Sequence, residues 1–299
     1  MLTRALFSAC VVLATGVLAA SDLTTVYAPL VYTYPPDQVP EDGTVLVQSG
    51  WESKLSAFNP TGDATTMEVL AAHGPDGPVQ KGMPSANLTE LPPYAGGAVN
   101  WGFATTPRFG VAFLEMRTAP EVSVSGDLVW SKRYLGCGNG LGSTKVPQGQ
   151  VALPVFRSLF PAGRTAIAGA VELGRLMDSP YCPEAVRKYQ RRVNVTLFNA
   201  GDAEATFVVT ELPLNGITTP LYETTRMVGA KRVLQINSIP VPTEDSPDIA
   251  GPINGDAIWF KATANQPFLF YVSTVFEDPE PGAAAFQVYT PSLLPLGAQ

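Results

Sequence analysis

Leu55-Ser56-Ala57-Phe58-Asn59-Pro60-Thr61-Gly62-Asp63-Ala64-Thr65-Thr66 decides how this chain is read, because Val195-Thr196-Leu197-Phe198-Asn199-Ala200-Gly201-Asp202-Ala203-Glu204-Ala205-Thr206 repeats it in the second half. Each copy is an alternating segment that ends at a phenylalanine and is followed by Asn. That Asn bonds its own backbone and opens a turn, Gly supplies a free dihedral, and Asp caps the turn before the next segment begins. With the two glycines aligned, the second turn is one residue shorter than the first. The pattern predicts a β-hairpin with a loop of about three to five residues. With one acidic side chain in each Asn-to-Asp turn, the motif is a poor cation site.

Working outward, the rest of the chain follows the same rhythm. Val45–Ser49, Glu121–Ser125, Val193–Phe198 and Phe268–Ser273 alternate at period two and are rich in Val, Thr and aromatics. The 28 Pro and 27 Gly residues punctuate them throughout. Such short segments between turn formers predict an all-β chain of sandwich type. Ala166–Met177 holds Gly169 and Gly174, which favours strand, and Pro183–Tyr189 suits one or two helical turns. Two further blocks repeat in order. Val26-Tyr27-Ala28-Pro29-Leu30-Val31 resembles Val151-Ala152-Leu153-Pro154-Val155-Phe156, and Ala119–Ser125 echoes Gln266–Val272. Three matched blocks in order predict a whole-domain duplication, with halves at 22–147 and 148–299.

The Phe-Asn-turn-Thr blocks resemble those of bacterial secreted proteins with tandem immunoglobulin-like β-sandwich repeats, where the turn joins two strands of a seven-stranded sandwich. The resemblance implies an extracellular setting and two tandem immunoglobulin-like domains. It leaves function open, because such domains serve as spacers, adhesins, assembly parts and carbohydrate binders. Neither half carries the Cys…Trp…Cys spacing of antibody domains.

The first 20 residues run from a basic start (Met1–Arg4) through an apolar stretch (Leu6–Leu18) to small residues before Ser21. That order predicts a cleaved secretory signal peptide at 1–20 and a secreted or periplasmic protein. The apolar stretch falls short of the ~20 residues that cross a bilayer, and no membrane span is expected after cleavage. Cys10 leaves with the signal. In an oxidising compartment the remaining pair, Cys137 and Cys182, favours a disulfide tying the halves together. On the loop-entropy account that bond contributes about 4 kcal/mol. A net charge of −7 with 15% charged residues is a poor match to nucleic acid or anionic lipid. The short basic stretch Arg187–Arg192 reads as a solvated strand entry.

Chemistry-bearing groups are sparse. The one histidine, His73, lies in Ala71-Ala72-His73-Gly74-Pro75-Asp76-Gly77-Pro78, which reads as an exposed turn without a nucleophile motif. One His and two paired Cys are too few for structural zinc. Gly136–Ser143 is glycine-rich but lacks the spacing of a phosphate cradle, so it reads as a linker. Glu52, Glu68, Glu115 and Asp127 are the carboxylates open to paired acid-base work. Glu244, Asp245, Asp248 and Asp256 form the best cation candidate, although a solvated loop explains them as well. Trp51, Trp130 and Trp259 read as core, and Trp101, after a Pro- and Gly-rich loop, as the aromatic open to ligand binding. No cofactor is expected. The reading that follows is a non-catalytic structural or adhesion protein whose partner is a protein or glycan at the cell surface. The alternatives are a carbohydrate-binding module and a periplasmic assembly chaperone that lends a strand edge to a client.

Overall fold

The two repeated blocks fold as the same hairpin. A computed structural model describes residues 23–32, 46–80, 88–99, 110–135, 143–172, 190–213, 220, 222–239, 257–277, 284–289 and 291–293. Within them β2 (Leu46–Phe58) turns into β3 (Thr65–Gly74), and β11 (Gln190–Asn199) turns into β12 (Ala205–Pro213). The alternating segments at Val45–Ser49, Glu121–Ser125, Val193–Phe198 and Phe268–Ser273 all contribute to strands. So does the start of Ala166–Met177, in β10 (Thr165–Glu172). No helix occurs among the described residues. Residues 173–189, which include the short helical turn expected at Pro183–Tyr189, lie outside them.

Four antiparallel sheets result. Sheet A runs β1 (Thr24–Val31), β7 (Val111–Thr118), β3, with β4 (Gly77–Gln80) and β5 (Leu88–Leu91) both on the far side of β3. Sheet B runs β6 (Gly96–Ala98), β2, β8 (Ser123–Leu135), β9 (Ser143–Leu153). Sheet C runs β14 (Val233–Ile239), β11, β16 (Phe268–Glu277), β17 (Ala284–Tyr289). Sheet D runs β13 (Tyr222–Val228), β12, β15 (Ala257–Ala264), β10, β18 (Pro291–Leu293). Read by place in the chain, A and D share a four-strand path, β1-β7-β3-β5 and β10-β15-β12-β13, and B and C share another order. The expected boundary between 147 and 148 falls inside β9, which pairs with β8 from Ser143 to Leu153.

The side chains stack the sheets in the order B, A, C, D. Val26, Leu114 and Met116 from sheet A meet Leu55 and Ala57 from sheet B in one buried cluster. Leu197 and Phe270 from sheet C meet Phe207 and Phe260 from sheet D in another. Side chains alternate along a strand, so residues of opposite parity on A and C are left to face each other. Tyr27 and Phe113 of sheet A meet Phe198 and Tyr271 of sheet C there. The connector after β9 fastens both sheets. Phe156 exchanges backbone hydrogen bonds with Tyr27 (2.8 and 2.9 Å), and Phe160 does the same with Phe268 (2.9 and 3.0 Å).

Two of the sequence matches shift under this geometry. Val151–Phe156 is not the second-half counterpart of Val26–Val31; it runs from β9 into the connector and bridges Tyr27 itself. The strand in the place of β1 is β10. Val26 opposite Met116 corresponds there to Ala166 opposite Ala262, and all four are fully buried. The match of Ala119–Ser125 to Gln266–Val272 is displaced by one residue. Phe58 pairs with Ser123, whereas Phe198 pairs with Leu269, so Ser123 corresponds to Leu269 and Val122 to Phe268. A slip of one residue exchanges the faces of a strand, and only this register puts Val122 and Phe268 in their respective cores.

Candidate functional site

Asn59 and Asn199 show why the repeated block contains an asparagine. Both are wholly buried. Asn59 Nδ2 donates to the carbonyls of Asp63 (2.7 Å), Leu91 (3.1 Å) and Pro92 (3.2 Å), while its Oδ1 accepts from Thr61 N (3.0 Å). Asn199 Nδ2 donates to Ala203 (2.7 Å), Val228 (2.9 Å) and Gly229 (3.0 Å), and its Oδ1 accepts from Gly201 N (2.9 Å). Each amide closes its own turn and also staples that turn to the connection between two strands farther along the chain. The turns are therefore equal in length: the first bond reaches four residues ahead in both. Gly201 takes the place of Thr61, not of Gly62, and no residue is lost between the copies. The partner connections match as well. Tyr94 (φ 54°) and Lys231 (φ 55°) both adopt the left-handed conformation. Their amides donate to Thr61 O (3.1 Å) and Gly201 O (3.3 Å). That conformation is uncommon for residues with a Cβ and is held by the surrounding bonds.

The contact between sheets A and C holds the densest chemistry among the described residues. His73 is only 3% exposed, which corrects the expectation of a surface turn. β3 continues through Gly74, and the turn is confined to Pro75-Asp76, closed by Gly77 at φ 115°. An irregularity between Val69 and Ala71 then shifts the alternation, leaving Ala72 in the first core and turning His73 toward sheet C. There its ring lies 5.0 Å from that of Phe198. Its Nε2 is 2.7 Å from Glu115 Oε2, and its Nδ1 is 3.3 Å from the Lys231 carbonyl. Tyr27 donates its hydroxyl to Glu115 Oε1 at 3.4 Å.

The electrostatics follow from these neighbours. The His73 hydrogen bond, aided by the charges of His73 and Lys231, holds the Glu115 carboxyl below its ordinary range against the opposing effect of burial. Burial, with the Glu115 charge beside it, pushes the Tyr27 phenol up to about 12, so it stays a neutral donor. Tyr271, fully buried opposite Thr196, is likewise pushed up to about 12 by burial. A second ionisable group lies deep in the other core. Glu211 points between sheets C and D beside Phe260 and Tyr222, 1% exposed. Neither carboxylate oxygen has a hydrogen-bond partner among the described residues. Burial alone raises it to about 7.

The other sequence-derived candidates divide cleanly. Trp101, Cys137, Cys182, Glu244, Asp245, Asp248 and Asp256 lie outside the described residues. Glu52 and Asp127 sit on sheet B, where Glu52 is 3.9 Å from Lys54. Glu68 and Glu115 sit on sheet A, and Glu115 turns to the histidine. Trp51 is buried and lies 5.0 Å from the half-buried Trp130; Trp259 is half-buried. No group of three metal-ligating side chains and no helix long and apolar enough to cross a membrane occurs among the described residues. The grouping of Tyr27, His73, Glu115 and Phe198 was missed by sequence reasoning. Its one signal is the nearly continuous apolar run Val111-Ala112-Phe113-Leu114-Glu115-Met116, which marks a strand covered on both faces and isolates Glu115 within it.

No family model and no curated protein matches this chain. Among solved structures, the crystal structure of Thermotoga maritima 1070 aligns with 44% of this chain and 95% of its own, at 14% identity and a TM-score of 0.27. A likeness of that degree carries no argument about function.

Proposed function

We propose that this protein is a non-catalytic structural or adhesion module working outside the cytoplasm, built from two tandem immunoglobulin-like sandwiches that arose by duplication. The observation that carries the reading is the buried contact of sheet A with sheet C. Phe113 stacks on Phe198 at 5.1 Å, Tyr27 and His73 complete the wall, and the connector is hydrogen-bonded into both sheets. Two sandwiches fused in this way make a stiff unit with little freedom for one to close on the other, as suits a load-bearing spacer. The shared strand orders and the paired Asn59 and Asn199 staples support descent of both halves from one domain. The leader at 1–20 and the Cys137–Cys182 bond belong to the same proposal.

Tagged native protein recovered after cross-linking from medium, envelope and cytoplasm tests it. The expected result is recovery from envelope or medium, without the leader, joined to a surface protein or glycan. Recovery from the cytoplasm with residues 1–20 intact overturns the proposal, and so does turnover of a substrate by the purified protein.

A further inference from the structure

We infer that copies of this chain associate head to tail, the outer face of sheet D of one copy receiving the outer face of sheet B of the next, as sheet A receives sheet C within one chain. The inference rests on the correspondence of the sheets and holds whatever surface partner the module has. Sheet D stands in its half as A does in the other, and B stands as C does. The contact of A with C joins the first half to the second. Its repetition joins the second half of one copy to the first half of another. A contact between two unlike faces adds copies in one direction and closes no pair.

The residues at corresponding places fit one another. On the C side the contact is anchored by Phe198, whose ring packs against Tyr27 (5.8 Å), His73 (5.0 Å) and Phe113 (5.1 Å) of sheet A. Asn59 and Asn199 align the two hairpins, so Phe58 on sheet B is the counterpart of Phe198. It is 45% exposed, whereas Phe198 is wholly buried. The receiving wall corresponds through register. Tyr27 opposite Glu115 matches Ile167 opposite Lys261, and His73 opposite Phe113 matches Leu212 opposite Trp259. Ile167, Leu212 and Trp259 point away from sheet C, and each is half-buried. Sheet D thus offers three apolar side chains around the place that a phenylalanine ring fills on sheet A, and sheet B offers an exposed phenylalanine.

The charges change together. Glu115 of sheet A feels the ammonium of Lys231, in the turn beside sheet C. At the matching points sheet D carries Lys261, and the turn beside sheet B carries Tyr94, 71% exposed. A cation facing an aromatic ring replaces a carboxylate facing an ammonium, so the exchange keeps an attraction. The fit is nevertheless smaller than the one inside the chain. Tyr271 of sheet C meets Phe113 at 5.9 Å, whereas its counterpart on sheet B is Ser125, which bonds Ser56 on an exposed surface. One aromatic anchor with a polar surround makes a reversible contact between copies.

Sedimentation of the full-length protein tests this. Average mass should rise with concentration from the micromolar to the millimolar range and continue past the dimer. Phe58→Asp, at the anchor, and Ile167→Asp, on the receiving face, should each weaken association by at least about thirtyfold, the loss typical of a central interface residue. Phe58→Asp keeps a working sheet D and Ile167→Asp a working sheet B. The two variants mixed in equal amounts should therefore form a dimer that neither forms alone. Far-UV circular dichroism checks that both fold, and Lys261→Glu on the same face takes the place of an Ile167→Asp that does not. Wild-type protein that stays monomeric at millimolar concentration overturns the inference without any variant, and so does a mass that levels off at the dimer. Association of the sheet D variant equal to that of wild type also overturns it, since Phe58 would then be meeting its own kind.

Discussion

Sheets A and D occupy the same place in their halves and share a strand order, yet A is covered on both faces and D on one. In β1 every residue from Val26 to Val31 is buried, and in β7 so are Val111 to Leu114. In β12, Ala205, Phe207 and Val209 are buried while Thr206 and Val208 are exposed. The outer face of D continues through Thr225 and Met227, exposed, and Ile167, Lys261 and Thr263, half-buried. Where sheet A places Glu115 against His73, sheet D places Lys261 at the corresponding point of β15. Topology is therefore common to both sheets, and the outward-facing residues decide which one becomes an internal layer. A fully apolar run marks the doubly covered sheet and alternation the singly covered one.

The largest expected effect breaks this comparison directly. Phe198→Ala removes the ring at which Tyr27, His73 and Phe113 converge and should cost about 4 kcal/mol, within the range for a buried Phe truncation. Val208→Ala, on the open face of D and 39% exposed, should cost under about 0.5 kcal/mol. Denaturant midpoints of the two variants measure the difference, and equal losses would show that the two faces are equally covered.

The staples sharpen it, because there the two halves are the same. Asn59→Asp and Asn199→Asp each keep the Oδ1 acceptor but set a second acceptor against three carbonyls. Each should lower stability by about 3 kcal/mol, the cost of a buried donor lost and its acceptors left unmade. Similar losses on both sides are expected in chemical denaturation. A large loss in one half and none in the other would separate the two turns.

The strands and the repeated hairpin were legible because alternation and turn formers are local. The length of the second turn was not. Matching Gly62 to Gly201 drops a residue, whereas the buried Asn amides, bonding to carbonyls about 30 residues away, keep both turns equal. The counterpart of β1 was hidden for a related reason. β1 must be apolar on two faces and β10 on one, so Val26 and Ala28 share only their inward positions with Ala166 and Ala168. His73 was misread because a bulge, which shifts alternation by one residue, leaves no mark in Ala71-Ala72-His73. The left-handed Tyr94 and Lys231 were equally silent, since neither residue type announces that conformation.

One difference between the inner faces of A and D brings in an ionisable group. Leu114, opposite Ala72, corresponds to Phe260, opposite Glu211, so the second core carries a carboxyl where the first carries a methyl. In the unfolded chain that carboxyl titrates near its ordinary 4.5, and in the fold near 7. Below about 4.5 both states hold the proton. Between the two values the unfolded chain releases it and the fold retains it, so stability declines as pH rises and levels off above about 7. Glu211→Gln keeps the shape without the charge. It should raise stability by about 2 kcal/mol at pH 8, leave it nearly unchanged at pH 5, and flatten the slope between them. Ala72, having nothing to titrate, contributes no such slope, so at this position of the fold only the second core responds to pH. Urea midpoints of wild type and variant at pH 5, 6, 7 and 8 decide it. A slope that persists in Glu211→Gln would place the titrating group elsewhere.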